Sequence, residues 1–381
     1  MRARKEIRRS TLLLLGSVVL GALPGLAQQP HITNARMESR SAAAGLEKEF
    51  RSIESAQAEP GWIGYAVPAT PGHHQMCCGS YNDDSETCCE RCRLEDHGRD
   101  GGGVNFNENP QPSVKLELEA APEVLVLYRV EDHKVRKIRV FSPDCELDAG
   151  GRTVYWLTGV RPDESVRWLA SFVAVKQGEA GGDDDDSPRL TDGALTAIAL
   201  HGDPAADAAL DRFVAAGQPD RIREKSAFWL GVARGRRGYE VLDRLVRHDA
   251  SDSFRDKAVF ALFVSKEPKA TDTIIEVARS DSSSHVRGQA LFWLAQKAGR
   301  KAEADKATSA IRQAIDNDPE TEVKKKAVFA LSQLPKDQGV PLLIQVAENN
   351  RNPEVRKQAM FWLGQSGDPR ALAFFENVLT H

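Results

Sequence analysis

After residue 27, the sequence lacks an apolar run of the roughly 20 residues that a membrane-spanning helix needs. Residues 1–27 combine five basic residues, an apolar stretch from Thr11 to Leu23, and small residues at Gly25 and Ala27. This order is typical of a signal peptide that is cleaved after Ala27. We therefore expect an exported protein, periplasmic or secreted, without stable membrane insertion after cleavage.

The sequence also lacks the common catalytic motifs. It contains no His-Glu-x-x-His helix, no Gly-x-Ser-x-Gly elbow, no phosphate-binding Gly-Lys-Ser/Thr loop, and no dinucleotide-binding fingerprint that opens a helix. We expect no catalytic residues and no enzymatic activity.

Positive charge is not in excess. The chain has a formal net charge of −4, and residues 1–27 carry five basic residues and one acidic residue. The chain from residue 28 onward therefore carries a net charge of −8. Because nucleic-acid binders gain most of their affinity by neutralising phosphates, this balance argues against a nucleic-acid partner.

Cysteine is absent from the C-terminal half of the chain. Its six cysteines are Cys77, Cys78, Cys88, Cys89, Cys92 and Cys145. An even number of cysteines in an exported chain favours disulfides, although the sequence does not select among the 15 pairings.

Two other interpretations of the cysteines stay open. Cys78, Cys89, Cys92 and His97 could supply four zinc ligands, but a second Cys-x-x-Cys pair is missing. Cys89 and Cys92 have redox spacing, but no thioredoxin-like pattern precedes them. We expect no cofactor, with zinc as the alternative.

The composition predicts four parts after the signal peptide. Residues 28–60 are polar, with a short helix whose apolar positions are Leu46, Phe50 and Ile53. Residues 61–176 favour a β-rich (α+β) domain, and residues 177–188 form an acidic Gly/Asp linker. Residues 189–381 are periodic and helical. The strand candidates of the second part are 114–119, 124–130, 135–141 and 153–160, and a helix is predicted from Pro162.

Five segments between residues 223 and 363 align without gaps. Each begins with Arg or Lys, has small residues three and four positions later, and has Leu at position 7. The segments start at Arg223, Arg255, Arg287, Lys324 and Arg356. A further helix precedes each segment, so every unit is a helical hairpin that needs stacked neighbours to bury its apolar face.

This pattern resembles the HEAT-repeat family, in particular the short repeats named after the phycobilisome lyases. The resemblance covers about residues 190–381. It implies a mainly α fold, an α-solenoid with a curved binding surface, and it does not imply lyase chemistry. In this family the basic residue at the helix start pairs within the neighbouring turn. Asp252 and Glu322 are our expected partners for this structural row.

Position 5 of the second helix is expected to face solvent, yet it is Phe in all five units. One hypothesis is that this row grips an apolar peptide or a partner helix on the concave face, where nearby lysines select acidic partners. The other is that each Phe packs sideways on the next repeat. The residues concerned are Phe228, Phe260, Phe292, Phe329 and Phe361, with Lys225, Lys257, Lys325 and Lys326.

The sequence thus favours a non-catalytic scaffold that binds a protein or peptide. One alternative is a metal-binding or redox module in the cysteine-containing domain, docked to a client by the repeats. Another is a purely structural spacer.

Overall fold

The computed structural model describes residues 30–72, 75–77, 80–82, 92–95, 123–143, 145–173, 187–298 and 303–380. Within these ranges it is a mainly α protein, in which a helical solenoid follows an N-terminal mixed sheet. No helix in the described ranges is long and apolar enough to cross a membrane.

The N-terminal part is built on a five-stranded sheet in the order β2-β10-β3-β7-β8. Strand β10 pairs in parallel with β2 and β3, whereas β7 pairs antiparallel with β3 and β8. The strands of this sheet are β2 (Arg36–Ser41), β3 (Gly61–Pro68), β7 (Glu123–Glu131), β8 (Lys134–Phe141) and β10 (Thr153–Thr158).

Short strands complete the β structure. They are β1 (Ile32–Thr33), β4 (Gln75–Cys77), β5 (Ser80–Asn82), β6 (Cys92–Arg93) and β9 (Leu147–Asp148). Strand β9 joins β1 and β6 in a small parallel sheet, and β4 pairs with β5. The structure thus adds strands β1 and β2 to the segment 28–60, for which the sequence predicted a helix alone.

The two faces of the five-stranded sheet bury separate cores. One face packs against helices α1 (Leu46–Ala56) and α2 (Pro162–Val173), and its core continues into the solenoid. The other buries a smaller cluster that includes Trp62, Trp156 and Cys145. The predicted short helix is confirmed as α1, with Leu46, Phe50 and Ile53 buried, and the helix from Pro162 is confirmed as α2. The strand candidate 114–119 lies outside the described residues.

The solenoid begins directly against the sheet. Its first helix, α3 (Ser187–Leu200), packs on α2 and β8. Gly193 permits this approach, because a Cβ added there would lie 2.4 Å from the carbonyl oxygen of Ile138. Residues 177–186 of the predicted linker lie outside the described residues, while Ser187 and Pro188 already belong to α3.

From α4 onward, each repeat consists of a first helix and a second helix. The first helices are α4 (Pro204–Val214), α6 (Gly235–His248), α8 (Ala270–Ser280), α10 (Ala304–Asn317), α12 (Lys336–Asn349) and α14 (Pro369–Thr380). The second helices are α5 (Asp220–Ala233), α7 (Asp252–Val264), α9 (Ser284–Ala298), α11 (Thr321–Ser332) and α13 (Pro353–Gln365). The second helices contact one another more extensively than the first helices do, which makes their layer the concave one.

The apolar positions predicted for the second helices form the core. In α9, Val286, Ala290, Leu291 and Leu294 are all buried, and the equivalent positions of the other repeats follow the same pattern except for the half-buried Met360. The helical period of the sequence therefore predicted correctly which stripe each repeat buries.

A buried arginine joins one repeat to the next at three junctions, from α5 to α11. Arg287 of α9 donates from Nε and Nη2 to both carboxylate oxygens of Asp318, at 2.8 and 3.0 Å, in the turn after α10. Its Nη1 donates to the carbonyl oxygen of Asp281, 2.9 Å away in the turn before α9. Equivalent pairs join Arg223 to Asp249 and Arg255 to Asp281.

The structural role expected for this basic row is confirmed, but the expected partners are wrong. The acidic partner lies in the turn of the following repeat and not at the start of the arginine's own helix. For Arg255 this partner is Asp281, 26 residues later. Asp252 instead accepts a hydrogen bond from Ser283, and Glu322 pairs with Lys325. Each turn aspartate also accepts from the backbone two residues on, as Asp281 does from Ser283, which fixes its carboxylate toward the arginine.

We predict that removing one partner of a buried pair destabilises the solenoid. Asp318→Asn leaves Arg287 buried without its counter-charge, so we expect a loss of about 3 kcal/mol in the free energy of unfolding. Arg356→Gln is the matched control, since Arg356 bonds to the carbonyl oxygens of Asn350 and Arg351. Its cost should stay near 1 kcal/mol. Equal losses for the two variants in urea unfolding would contradict the pairing.

His201 lies where the sheet meets the solenoid. It is fully buried and forms a β-bridge with Ala69, and its Nδ1 accepts a hydrogen bond from the Asp203 amide. Its Nε2 has no hydrogen-bond partner among the described residues. The pKa of His201 is lowered to about 4, mainly by burial; the nearby Asp203 opposes the shift and Arg234 adds to it.

We predict a pH-dependent stability from this histidine. The unfolded chain binds the proton below pH 6.5 and the folded chain only near pH 4, so stability is fully present above pH 6.5 and lost as the pH falls. The loss should approach about 3 kcal/mol at pH 4. His201→Asn keeps an acceptor for the Asp203 amide but does not titrate. Urea unfolding at several pH values should therefore show a shallower pH dependence for the variant, and unchanged slopes would contradict the assignment.

Candidate functional site

The Phe row forms part of a continuous aromatic ladder on the second helices. Phe228 and Phe260 stack with ring centroids 6.1 Å apart, and Phe292 and Phe329 stack at the same separation. Trp293 links the two stacks, with its ring centroid 4.8 Å from that of Phe260 and 4.9 Å from that of Phe292. We call this surface of α5, α7, α9, α11 and α13 the ladder face.

The ladder ends in the last second helix. Trp362 lies 5.0 Å from Phe329 and 5.0 Å from Phe361, measured between ring centroids. One uninterrupted series of rings therefore runs from α5 to α13. Contacts of this kind contribute roughly 0.5–1.5 kcal/mol each beyond the area they bury.

The alternation of Trp and Ala at position 6 explains how the rings meet. Where the following repeat has Ala at this position, as at Ala261 and Ala330, the Phe of one repeat stacks on the Phe of the next. Where it has Trp, as at Trp293 and Trp362, the Phe contacts the indole instead. Position 6 borders the core stripe of the helix, which predicts that its residues pack between neighbouring second helices. Trp293 and Trp362 confirm this prediction.

Both hypotheses for the Phe row describe part of the geometry. As the packing hypothesis expects, four of the five Phe pack sideways on the next repeat, and Phe361 contacts Trp362 of its own repeat. Four of the five rings nevertheless remain half-buried, and Phe361 is 54% exposed. The ladder face thus presents the edges of packed rings to solvent, and its role in binding stays a prediction.

The predicted lysines lie along the same helices, but several already have acidic neighbours. Lys225 Nζ lies 3.5 Å from a carboxylate oxygen of Asp192, and Lys257 Nζ lies 3.8 Å from one of Asp256. Lys325 donates to Glu322 at 3.0 Å. These pairs are exposed on at least one side, so their carboxylates hold the ammonium groups only weakly.

Lys326 extends over the preceding repeat. Its Cδ would lie 2.2 Å from a Cβ added at Gly288, so the missing side chain at Gly288 makes room for it. Its stem therefore covers the helix surface beside the Phe292 and Phe329 stack.

The cysteine-based site cannot be built from the described residues. Cys78, Cys88, Cys89 and His97 lie outside them, and for Cys77 and Cys92 the structure describes the backbone, in β4 and β6. Cys145 is fully buried in the second core. The described residues contain no group of three or more potential metal ligands. Cys145 is disulfide-bonded, whereas the pairing of the cysteines and the zinc and redox interpretations stay predictions.

We predict that the cost of truncating a ladder ring depends on its place in the row. Phe260 packs against Phe228, Phe263 and Trp293, so Phe260→Ala should lower the free energy of unfolding by about 3 kcal/mol. Phe361 contacts Trp362 and is more than half exposed, so Phe361→Ala should cost about 1 kcal/mol. Equal costs in urea unfolding would show that the rings do not support one another.

No curated protein matches the chain in sequence. Several solved structures are similar to it over about half of its length. Human deoxyhypusine hydroxylase in complex with glycerol is 15% identical, with a TM-score of 0.29, and the match covers 57% of this chain and 90% of that one. The YIBA_ECOLI structure is 23% identical, with a TM-score of 0.33, over 47% of this chain and 64% of that one.

The complex of CpcE and CpcF of phycocyanin lyase from Nostoc sp. PCC7120 is 17% identical, with a TM-score of 0.29, and the match covers 56% of this chain and 80% of that one. The family model for HEAT repeats matches residues 308–381. These residues include α11 and α13, and α13 packs on α11 as α11 packs on α9 and α9 on α7. The family model thus supports HEAT repeats in residues 308–381 of the chain.

Proposed function

We propose that the protein is an exported, non-catalytic scaffold that binds a protein or peptide on the ladder face of its solenoid. HEAT repeats support the general role, since stacked helical hairpins create an extended concave surface suited to protein partners. The observation that carries the specific site is the unbroken series of aromatic rings from Phe228 to Phe361, whose exposed edges share one face of five helices.

The ladder face suits a partner with an apolar surface and acidic flanks. Aromatic rings held by their neighbours lose little conformational freedom on binding, and such rings often dominate protein interfaces. The exposed Lys225 and Lys257 flank the rings. Their ammonium groups lie 3.5 Å from Asp192 and 3.8 Å from Asp256, and solvent screens both ion pairs. A partner carboxylate could replace those pairings at little cost.

The solenoid is held rigidly relative to the sheet, which supports a scaffold with a preformed surface. The amide of Thr70 donates to the carbonyl oxygen of Leu200 at 2.8 Å, and the amide of Gly202 donates to that of Pro68 at 2.7 Å. Within the solenoid, Arg234 donates to the carbonyl oxygens of Ala199 and His201, at 3.1 and 2.7 Å, and so fixes the turn after α3 that contacts Pro68 and Thr70. Preorganisation of this kind lowers the entropic cost of binding.

Site-specific photo-crosslinking in the native host tests the proposal. A photoreactive residue at exposed Lys257, on second helix α7, should give a discrete protein adduct in the exported fraction. The same residue at exposed Glu276, on first helix α8, should not. Adding Phe260→Ala and Phe292→Ala should remove the adduct, because the two rings lie beside the crosslinking position.

Circular dichroism must show that these variants stay folded. Adducts of equal yield at both positions, or an adduct that survives loss of the rings, would contradict binding on the ladder face. An adduct confined to the cytoplasmic fraction would contradict export.

A further inference from the structure

Strand β2 is an open edge of the five-stranded sheet. It pairs in parallel with β10 on one side, and within the ranges that the structure describes no strand pairs with its other side. All six of its residues are exposed, so neither face of the strand is covered. An edge of this kind is a template for another strand, because its backbone donors and acceptors point outward.

The pairing with β10 shows which residues of β2 face the open side. The amide of Arg36 donates to the carbonyl oxygen of Arg152 at 3.0 Å, at the start of this pairing. Backbone direction alternates along a strand, so the even-numbered residues of β2 face β10. The amide and carbonyl groups of Met37, Ser39 and Ser41 therefore line the open edge.

The charged side chains of β2 are complementary to a second copy of the same strand. Glu38 and Arg40 share the face that carries α1, where Arg40 Nε lies 3.7 Å from a carboxylate oxygen of Glu49. Ser39 lies between them. An antiparallel copy related by a two-fold axis at Ser39 places Glu38 of each copy directly opposite Arg40 of the other. Opposite charges in this position stabilise a pair of strands.

We infer that a second copy of this chain occupies the open edge, in a symmetric dimer whose β2 strands pair antiparallel about Ser39. Ser39 bonds to Ser39 of the other copy, and Met37 bonds to Ser41, which are the residues whose backbone groups face outward. The two five-stranded sheets become one continuous sheet. This inference does not depend on binding at the ladder face.

Other registers of the same pairing are less favourable. An axis at Glu38 would oppose this residue to its own copy and Arg36 to Arg40, and an axis at Arg40 would oppose two arginines. An axis between two residues would oppose an outward backbone to an inward one, so the strands could not bond. An axis nearer either end of β2 would leave half of the strand unpaired. The axis at Ser39 meets both the backbone and the charge requirements.

Reach disfavours the remaining strand candidate of the same chain. Residues 114–119, outside the described ranges, are joined to the start of β7 at Glu123 by a connection that spans at most about 14 Å. A strand on the outer side of β2 would lie four strand spacings from β7, or about 19 Å. A second copy occupies this edge without such a restriction.

Disulfide trapping tests the register. Ser39 lies on the axis, where opposing Cα atoms are about 5.5 Å apart, a distance that a disulfide spans. Ser39→Cys in the full chain should therefore give a covalent dimer on mild oxidation, seen on a non-reducing gel. Ser41→Cys is the matched control, because the two copies of residue 41 lie about 14 Å apart in this register. The wild-type chain shows the background from the six native cysteines.

Charge reversal tests the ion pairs. Glu38→Arg opposes two arginines on both sides of the axis, so the dimer dissociation constant from sedimentation velocity should rise about tenfold. Adding Arg40→Glu restores opposite charges and should return the constant to within about threefold of the wild-type value. Both positions are exposed, so the variants should fold normally. Lys257→Gln, on the ladder face, should leave the constant unchanged.

Three results would overturn the inference. The first is a chain that stays monomeric in sedimentation velocity at the highest soluble concentration. The second is an equal yield of covalent dimer from Ser39→Cys and Ser41→Cys, which would show random collision instead of a fixed register. The third is a dimer that Glu38→Arg leaves intact, which would place the interface elsewhere on the protein. None of these results would contradict partner binding at the ladder face.

Discussion

The arginine–aspartate pairs that cross the three repeat junctions from α5 to α11 are the interactions on which this part of the solenoid depends. Arg255 and Arg287 are buried, and each bridges the turn of its own repeat and the turn of the next. A buried guanidinium is costly without a carboxylate, so each repeat requires its successor to be correctly placed. Along α5 to α11, the helices that these pairs join also bring the aromatic rings of successive repeats into contact.

The repeat part of the fold could be predicted from the sequence, because its signal recurs five times at helical spacing. The partners of the arginines could not. Asp281 and Asp318 lie 26 and 31 residues after Arg255 and Arg287, and the helical period within one repeat contains no information about which turn of the next repeat approaches. The same limit applies to the ladder. The row of Phe and the packing of the tryptophans between second helices were evident, but the contact of Trp293 with Phe260 depends on the packing between repeats.

The N-terminal part was predicted less completely, for a different reason. Strands β7, β8 and β10 are rich in β-branched and aromatic residues, so the sequence indicated them. Strand β2 (Arg36–Ser41) is exposed along its whole length and has the composition of a loop. Its pairing with β10 comes from the tertiary structure, which overrides its local preference. The direct packing of α3 on β8 depends on Gly193, a single residue whose importance no periodicity reveals.

Hydrogen–deuterium exchange of the full chain tests most directly whether the charged pairs couple the repeats. Helices α5 to α11 are joined by three arginine–aspartate pairs, whereas Lys324 and Arg356 bond to backbone carbonyl oxygens. We expect the amides of α5 to α11 to exchange slowly and as one cooperative unit, and those of α13 and α14 to exchange earlier. Protection in α13 and α14 equal to that in α7 and α9, or independent exchange of each repeat, would contradict the account.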